Sequence, residues 1–472
     1  MPIVHARSRN DNHYQLKLDG LTSSLAKIQS RLLAKGRSFS ECEAGLLAAA
    51  NEAVRRCLEA DLQRRADELS RNVRIAGFEY RRHQPGHARY YSLCGELRVR
   101  RHTYRRCGEH NGPTVVPVEL EAGLIEKCTP ALAYALAQGH AKAPIRIVER
   151  ELRAAHRIPP CRATLHRRAR ALGKSICAQK ERLETIVRKQ ELVPPEAIAI
   201  NLGLDRTTIP MEEAVTEGDW PRRGGRNITV RYRMAYIGTL TFTDRKGKPL
   251  ATRRYAVPAH RGSTGILRRL LADLKSALAQ RPKLNVGVVQ DNSPELWNVV
   301  RAAFRADPLM KEHGWRETVD WYHLMQYLAR VLAVLIRCPA ERMQLLDRWR
   351  AALMRSDRAI LSIVRWMDRW LFGLDAKSRK FRAFVRVHGI YLVYWRHFRY
   401  ASLASLGLHA GSGVTEGACK SIIKMRTNRS GQRWTKKGVE GVLAIASLLE
   451  SERLEAAWPH FERHYRVDCI AA

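Results

Sequence analysis

One acidic side chain, Glu416, stands near the start of a strongly basic stretch that runs from Gly411 to Trp434. A carboxylate in such a cationic stretch suits a site that holds metal ions beside a phosphate backbone. Glu416 and Lys420 are also four residues apart, so they could instead form an ordinary ion pair on a helix surface. Trp434 could stack on a base or pack in a core. The candidates for contact with DNA here are Lys420, Lys424, Arg426, Arg429, Arg433 and Trp434.

Two aspartates, Asp205 and Asp291, are the other candidates for the same chemistry. Each is expected at the end of an apolar strand, AIAINLGL before Asp205 and KLNVGVVQ before Asp291. Phosphoryl transfer with two divalent ions needs carboxylates that converge from separate elements, and Mg²⁺ prefers such oxygen ligands. A sheet edge where strands end beside helix N-termini is a place where Asp205, Asp291 and Glu416 could meet.

The elements that would position these acids follow a Val193-Pro194-Pro195 linker. Strand-like segments lie at 227–244 and 249–260 in addition to the two before the aspartates, and a further strand from residue 316 passes into a helix at Asp320 and His323. Helical segments separate several of these strands. Residues 338–407 are rich in tryptophan, arginine and leucine at helical spacing. The pattern predicts an α/β region that is interrupted by a helical insertion before Glu416.

The composition indicates a polyanionic partner. The 472 residues include 83 lysines and arginines against 46 acids, a formal net charge of +37. Binding to a polyanion releases condensed counterions, although charge alone would also fit a ribosomal or membrane-surface protein. The ten scattered cysteines indicate a reducing compartment, and no signal peptide or membrane span is evident. We expect a soluble, cytoplasmic protein.

The first 192 residues contain two candidate binding modules. Residues 20–70 are expected to be helical, and residues 72–118 alternate like a small antiparallel sheet. The arginines of this sheet favour a phosphate-contacting hairpin, and a zinc site is conceivable as the alternative. Residues 130–176 then predict a helix, a break at 158–160 and a basic second helix, the order of a helix-turn-helix motif. Two ordinary helices with a solvated basic face are the alternative. The cysteines and histidines of the zinc site would be Cys94, His102, Cys107 and His110, and the arginines of the second helix are Arg162, Arg167, Arg168 and Arg170.

Four segments resemble bacterial insertion-sequence transposases of the ISKra family: LDRTTIP at Asp205, QDNSPELW at Asp291, DWYHLMQYL at Asp320 and GSGVTEGACKSIIKMRTNRSGQRW at Glu416. The resemblance covers about residues 195–450. It implies a multi-domain α+β protein. In this fold a ribonuclease H-like α/β catalytic domain carries an all-helical insertion, and helical, small β and helix-turn-helix parts precede it. Two positions depart from the family pattern, since Arg206 and Asn292 stand where glycine is expected.

The resemblance also implies a function. Asp205, Asp291 and Glu416 would be the catalytic, metal-binding triad of a DDE transposase, with Mg²⁺ as cofactor and Mn²⁺ as a substitute. Asp320 and His323 match a D-x-x-H element of related enzymes and could contact a phosphate or steady a metal ligand; alternatively, His323 is a buried histidine that donates to the backbone. Arg162, Arg167 and Arg168 would help to recognise terminal inverted repeats.

The implied partners are double-stranded DNA, both at the repeats and at the target, and further copies of the chain in a homodimer or larger assembly. The implied location is the bacterial nucleoid. Two alternatives remain: a ribonuclease H-like nuclease without strand transfer, and a DNA-binding protein whose catalytic domain is dead. The predicted domain ranges are 1–71 (helical), 72–125 (β unit), 126–192 (helix-turn-helix), 193–337 (first part of the catalytic core), 338–408 (helical insertion) and 409–472 (last part of the core and C-terminal helices).

Overall fold

The structure, a computed structural model, describes residues 38–215, 228–291, 293–371 and 397–472, together with 373, 375, 377–379, 381–382 and 384–385. The predicted helical residues before position 38 and the departure at Asn292 lie outside the described residues. The chain divides into two compact units. The first comprises the described residues up to Ser175 together with Trp458–Ala472, and the second is Ile176–Ala457. Each contains one five-stranded sheet with helices, so the chain is a multi-domain α+β protein, as the sequence predicts.

The first unit begins with a long helix whose start is fixed by a capping box. The Ser38 hydroxyl accepts from the Glu41 N–H at 3.3 Å, and the Glu41 carboxylate accepts from the Ser38 N–H at 2.8 Å. Its elements are α1 (Phe39–Glu68), β1 (Asn72–Ile75), β2 (Phe78–Ser92), β3 (Gly95–Arg106), β4 (Thr114–Val115), α2 (Pro117–Glu121), α3 (Pro130–Lys142), α4 (Ile145–Ala154), the first part of α5 (Arg162–Gln190) and, after the second unit, most of α16 (Leu454–Tyr465) and β10 (Cys469–Ala471).

The sheet of this unit has the order β10-β1-β2-β3-β4, and all neighbours are antiparallel. Val73 of β1 lies opposite Ala471 of β10, so the C-terminal end of the chain completes the small β unit. The sequence assigned these last residues to the catalytic part, because a three-residue strand carries too little pattern to reveal its partner. Leu62 and Ala66 of α1 pack with Leu97 in the core over this sheet.

The predicted helix pair of the helix-turn-helix region is present as α4 and α5. The connection between them, residues 155–161, is longer than the short turn that usually joins such helices. The sequence predicted a separate helix through Arg188, whereas α5 is one continuous helix from Arg162 to Gln190. The division between the two compact units falls inside this helix, after Ser175.

The second unit contains the candidate acids. Its elements after α5 are β5 (Ala199–Ala214), β6 (Ile228–Thr243), β7 (Pro249–Pro258), a 3₁₀ turn (Ala259–Arg261), α6 (Thr264–Gln280), β8 (Asn285–Gln290), α7 (Pro294–Ala306), α8 (Pro308–His313), β9 (Arg316–Val319), α9 (Trp321–Leu335), α10 (Pro339–Arg355), α11 (Ala359–Leu371), α12 (Tyr400–Ser405), α13 (Gly413–Ala418), a π-helix (Cys419–Lys424), α14 (Met425–Thr427) and α15 (Lys436–Glu450).

The sheet of the second unit has the order β7-β6-β5-β8-β9. β5, β6 and β7 are antiparallel neighbours, whereas β8 is parallel to both β5 and β9. All five strands predicted from the sequence are present. Asp205, however, is not at a strand end, because β5 continues to Ala214 while it pairs with β6. It lies three residues beyond Leu202, where the parallel pairing with β8 stops.

Helices cover both faces and one edge of this sheet. On one face, α6 packs so closely that a Cβ on Gly238 of β6 would overlap Ile266. On the other face, a Cβ on Gly203 of β5 would overlap the hydroxyl of Thr415 in α13. At the β7 edge, the hydroxyls of Ser447 and Ser451 accept from backbone N–H groups of β7 at 3.0 and 2.7 Å. These contacts satisfy part of an edge that would otherwise be open to pairing.

Between β9 and α13, the elements with described bounds are the four helices α9 to α12. Trp349, Leu353 and Met367 of this region join the same hydrophobic core as the sheet. Within the described ranges, no helix has both the length and the apolar character needed to cross a bilayer.

Candidate active-site cleft

A cleft of about 270 Å³ opens beside the middle of β5 and the end of β8, and all three predicted acids line it. Asp205 comes from within β5, Asp291 from the residue after β8, and Glu416 from the first turn of α13. The residues that line it are Leu204, Asp205, Arg206, Asp291, His323, Gln326, Ser412, Glu416, Cys419, Lys420 and Lys424.

Asp205 is largely enclosed in this cleft. One of its carboxylate oxygens accepts from the Arg206 N–H at 2.7 Å. Burial raises the pKa of Asp205, and the nearby Asp291 and Glu416 carboxylates raise it further against the effect of that hydrogen bond. Negative charge is therefore concentrated here without a fully compensating cation from the protein.

Asp291 is fixed at the point where β8 turns into α7. Its carboxylate accepts from the Ser293 N–H at 3.1 Å, and its backbone carbonyl accepts from the indole N–H of Trp297 at 2.9 Å. Pro294 begins the helix, where its lack of an N–H does no harm. Burial raises the pKa of Asp291 and outweighs the opposite influence of His323 and Arg206. A bound cation would relieve this cost of ionisation.

Glu416 is placed by the contact between α13 and the sheet. The Thr415 and Thr239 hydroxyls lie 2.7 Å apart, and the Ser412 hydroxyl donates to the Glu416 carboxylate at 3.3 Å. The π-helix then follows directly at Cys419. Such wider turns occur frequently at functional sites, and this one carries both Lys420 and Lys424.

Asp320 and His323 form a second acid–imidazole pair at the start of α9. Asp320 is fully buried; one oxygen accepts from the His323 N–H at 2.7 Å and from its Nδ1 at 3.0 Å, and the other accepts from the Ser412 N–H. Burial alone would raise the pKa of Asp320, but these hydrogen bonds lower it. The hydrogen bond to Asp320 raises the pKa of His323. His323 therefore bonds to a carboxylate, rather than to a backbone carbonyl as in the alternative considered above.

By distance, Asp320, His323 and Glu416 could also hold a metal ion, because each offers one ligand atom within 4.8 Å of the others. Among the described residues, no other group of three or more His, Cys, Asp or Glu side chains has its ligand atoms this close together. Both oxygens of Asp320 already accept hydrogen bonds within the protein, which leaves it poorly suited as a ligand. Asp205 and Asp291 line the same cleft as Glu416 but do not belong to this group.

Of the predicted cations, Lys420 and Lys424 are exposed and line the cleft. Arg426 is only 3% exposed and lies 4.7 Å over the Trp434 ring, and burial lowers its pKa to about 10. Arg433 pairs with Glu212 at 2.7 Å.

Trp434 has a packing role. Its backbone exchanges hydrogen bonds with the end of β5, from its N–H to Pro210 at 3.0 Å and from Glu212 to its carbonyl at 2.8 Å. Its indole donates to the Thr427 carbonyl at 3.1 Å. Arg429 donates to the Met425 carbonyl at 2.9 Å. The structure thus brings only Lys420 and Lys424 from the predicted basic stretch to the cleft, while Arg426 and Trp434 are engaged in packing.

The predicted arginines of the first unit lie at the start of α5. Arg162 is mostly exposed and pairs with Glu149 at 2.8 Å, and Arg167 donates to Thr164 at 3.2 Å. Arg168 lies 5.9 Å from the centre of the Tyr91 ring. Arg162 and Arg167 therefore present charge to solvent, while Arg168 is partly committed to the β unit.

The conceivable zinc site does not form. Cys94 lies in the turn before β3 and Cys107 follows its far end, so the 12-residue strand separates them. An extended strand of that length spans on the order of 40 Å, far beyond the reach of one ion.

Several residues of the cleft were not predicted as site residues. Arg206 and Glu295 form an ion pair, Cys419 borders Asp205, and Gly203 allows α13 to approach the sheet. Burial and the Asp205 carboxylate raise the pKa of the Cys419 thiol to about 12, so it is protonated and unreactive. Arg206 carried a signal in the sequence, since it replaces an expected glycine next to Asp205.

No family model matches the chain, and no curated protein matches it. Among solved structures, the chain is similar to the Drosophila P element transposase strand transfer complex, at 10% sequence identity and a TM-score of 0.34. The match covers 67% of this chain and 90% of that chain. At this level of similarity, shared features define neither a family nor an activity for the chain.

Proposed function

We propose that the chain is a DDE-type DNA transposase, resembling those of the ISKra family, with its active site in the cleft of the second unit. The observation that carries the proposal is the meeting of Asp205, Asp291 and Glu416, three acids from distant parts of the chain, beside the exposed Lys420 and Lys424. The mixed sheet, with Asp205 on its central strand and Asp291 after the neighbouring parallel strand, supports a ribonuclease H-like core.

The acids would serve as ligands rather than as nucleophiles. Three carboxylates with little compensating charge suit Mg²⁺, or Mn²⁺ in its place, because these ions prefer hard oxygen donors. When bound, such ions would activate the attacking oxygen and neutralise charge that develops on the scissile phosphate. Glu416 is oriented for this role by Ser412, and the α13 helix that carries it is held by the Thr415–Thr239 contact.

The remaining groups would bind the substrate. Lys420 and Lys424 would contact backbone phosphates of DNA, and His323, held through Nδ1 by Asp320, would present its Nε2 to a phosphate oxygen. Arg162, Arg167 and Arg168 of the first unit are the candidates for contact with terminal inverted repeats. The overall charge of +37 fits such a partner.

The reaction would have two steps. In cleavage, the oxygen of water forms a bond to phosphorus while the bond from phosphorus to the 3′-oxygen breaks, which yields a 3′-hydroxyl and a 5′-phosphate. In joining, that 3′-oxygen attacks a phosphate of the target, and the target's own bond to its 3′-oxygen breaks. Since two ends must be joined to one target, we expect a homodimer or larger assembly on DNA.

Cleavage and joining of a plasmid that carries the DNA flanking this gene tests the proposal. Wild type and Glu416→Gln are compared with Mg²⁺ and with a chelator. Metal-dependent nicks at the element ends together with joined products, both absent in Glu416→Gln, are expected. Nicks without joined products would instead identify a nuclease. Binding without any metal-dependent reaction would leave a DNA-binding protein with a dead catalytic domain.

A further inference from the structure

An arginine that no part of the proposed mechanism uses lies in the cleft beside the acids. Arg206 follows Asp205 directly in β5 and lines the same cleft as Asp291 and Lys420. Its guanidinium forms an ion pair with Glu295, which stands in the first turn of α7. The cleft therefore contains a guanidinium, that of Arg206, whose charge is balanced by the Glu295 carboxylate.

A second contact, from Tyr236, orients the Glu295 carboxylate toward Arg206. Tyr236 of β6 lies opposite Arg206 in the antiparallel pairing, and its hydroxyl donates to the other Glu295 oxygen at 3.3 Å. The first turn of a helix also favours a carboxylate, because backbone N–H groups there are unpaired. Glu295 thus fixes the guanidinium in one place at the side of the cleft.

The ion pair of Arg206 with Glu295 is expected to contribute little to the stability of the fold. The Arg206 side chain is 34% exposed and that of Glu295 is 47% exposed. Pairs as exposed as this contribute little to stability. The buried pair of Arg269 with Glu184 in the same unit, at 7% and 3% exposure, is the kind that a fold depends on.

A guanidinium at this position matches the chemistry of the proposed substrate. Its planar fork binds carboxylate and phosphate in the same bidentate manner, so a DNA phosphate can take the place of Glu295 without a change in the arginine. We propose that Arg206 contacts a backbone phosphate next to the cleavage point and that Glu295 occupies this phosphate position while DNA is absent. The inference rests on the proposed function, since it assigns a specific phosphate contact to that substrate.

The two partners of the pair are predicted to have opposite effects on DNA affinity. Removal of Arg206 deletes a phosphate contact, whereas removal of the Glu295 charge deletes a competitor of the phosphate. A pair that serves only the fold would give changes of the same sign. The sign of the Glu295 effect therefore separates the two roles.

Affinity of the full chain for a short fluorescein-labelled duplex, measured by anisotropy in a chelator across a salt series, tests this. Arg206→Ala is expected to weaken binding about tenfold and to reduce the slope of log K against log salt by about one. Glu295→Gln is expected to tighten binding several-fold, and the double variant to bind like Arg206→Ala. Arg206→Lys keeps the charge but loses the fork, and it should fall between wild type and Arg206→Ala.

Arg233→Ala is the matched control, because Arg233 lies on β6, pairs with Glu213 at 2.6 Å and does not line the cleft. Thermal unfolding of every variant checks that the fold is retained. Equal weakening by Arg206→Ala and Glu295→Gln, or binding by Arg206→Ala at the wild-type level and salt slope, would overturn the inference. Either result would leave the cleavage proposal standing, since that depends on the metal-dependent reaction and on Glu416.

Discussion

The hydroxyl of Thr415 lies 2.7 Å from the hydroxyl of Thr239, directly above Gly203 in the neighbouring strand. A Cβ on Gly203 would overlap the Thr415 oxygen, so the close approach of α13 to the sheet requires glycine at that position. Because Thr415 directly precedes Glu416, this contact positions the part of α13 that carries Glu416. The position of the third acid thus depends on a residue with no side chain.

Gly203→Ala is therefore expected to displace Glu416 and to reduce the metal-dependent cleavage rate by at least tenfold. A misplacement of about 1 Å in a catalytic group can cost about a hundredfold in rate. Nicking of the element-bearing plasmid under single-turnover conditions measures the effect. Gly265→Ala in α6 is the control, because a Cβ there meets nothing within 4 Å. Comparable losses in both variants would contradict this account of Gly203.

Asp320 also acts through its hydrogen bonds, which hold neighbouring groups in place. Its two oxygens accept from His323 and from the Ser412 N–H, and it is fully buried. Asp320→Asn places an amide N–H₂ group toward one of these donors, so one hydrogen bond is lost and a buried donor is left unsatisfied. We expect a loss of about 1–3 kcal/mol in the free energy of unfolding.

Urea unfolding measures the Asp320 effect, and Asp347→Asn is its control. Asp347 in α10 has a side chain that is 63% exposed and pairs with Arg350 at 3.1 Å. Its replacement should change stability by no more than about 0.5 kcal/mol. A loss at Asp320 as small as that at Asp347 would show that the buried network does not hold the segment before Glu416.

The strands of the second unit and the three acids show what the sequence could predict. The apolar spacing of five segments, among them the two before Asp205 and Asp291, predicts five strands, and all five form one sheet. Local pattern identifies such elements because a strand buried on its faces needs apolar side chains regardless of its partners. The three acids were likewise predicted to meet, and they line one cleft.

Local pattern could not give contacts between distant segments. A basic stretch does not reveal that Arg426 is buried against Trp434 while Lys420 is exposed, because the π-helix at Cys419–Lys424 rotates the residues that follow it. The return of β10 to β1 was missed for the same reason, since pairing partners are not encoded in a three-residue strand. The extent of β5 beyond Asp205 depends on its pairing with β6.

Stability is expected to fall in acid through Asp273, a buried residue of α6. Burial alone would raise the pKa of Asp273. Arg453, the Tyr255 hydroxyl and Arg188 nevertheless lower this pKa below its usual value of 3.8. A group whose folded pKa is depressed contributes stability above its unfolded pKa and loses it as the pH falls through the folded pKa. The contribution is therefore complete at about pH 5 and declines below about pH 4.

Urea unfolding of wild type and Asp273→Asn between about pH 3 and pH 7 measures this contribution. Asp273→Asn should be less stable near neutral pH, by about 3–5 kcal/mol, because it leaves the buried Arg453 without one of its acids. The difference between the two proteins should narrow as the pH falls. A difference that stays constant over this range would rule out the ionised carboxylate as its source.

The last prediction separates two basic residues that the sequence treated alike. Arg426 is buried and stacks on Trp434, whereas Lys420 is exposed at the cleft. Arg426→Ala should therefore lower stability by about 2 kcal/mol or more through lost packing and cation–π contact. It should leave the salt dependence of DNA binding unchanged. Lys420→Ala should do the reverse, with stability within about 0.5 kcal/mol of wild type and a salt slope smaller by about one.

Duplex binding across a salt series and urea unfolding of the same two variants measure both effects. Lys436→Ala, an exposed lysine at the start of α15 that does not line the cleft, serves as the charge-matched control for Lys420. If Arg426→Ala reduced the salt slope as much as Lys420→Ala, Arg426 would have to leave its stack on Trp434 to reach DNA. The region after the π-helix would then rearrange on binding, because a side chain that is 3% exposed cannot meet a phosphate where it lies.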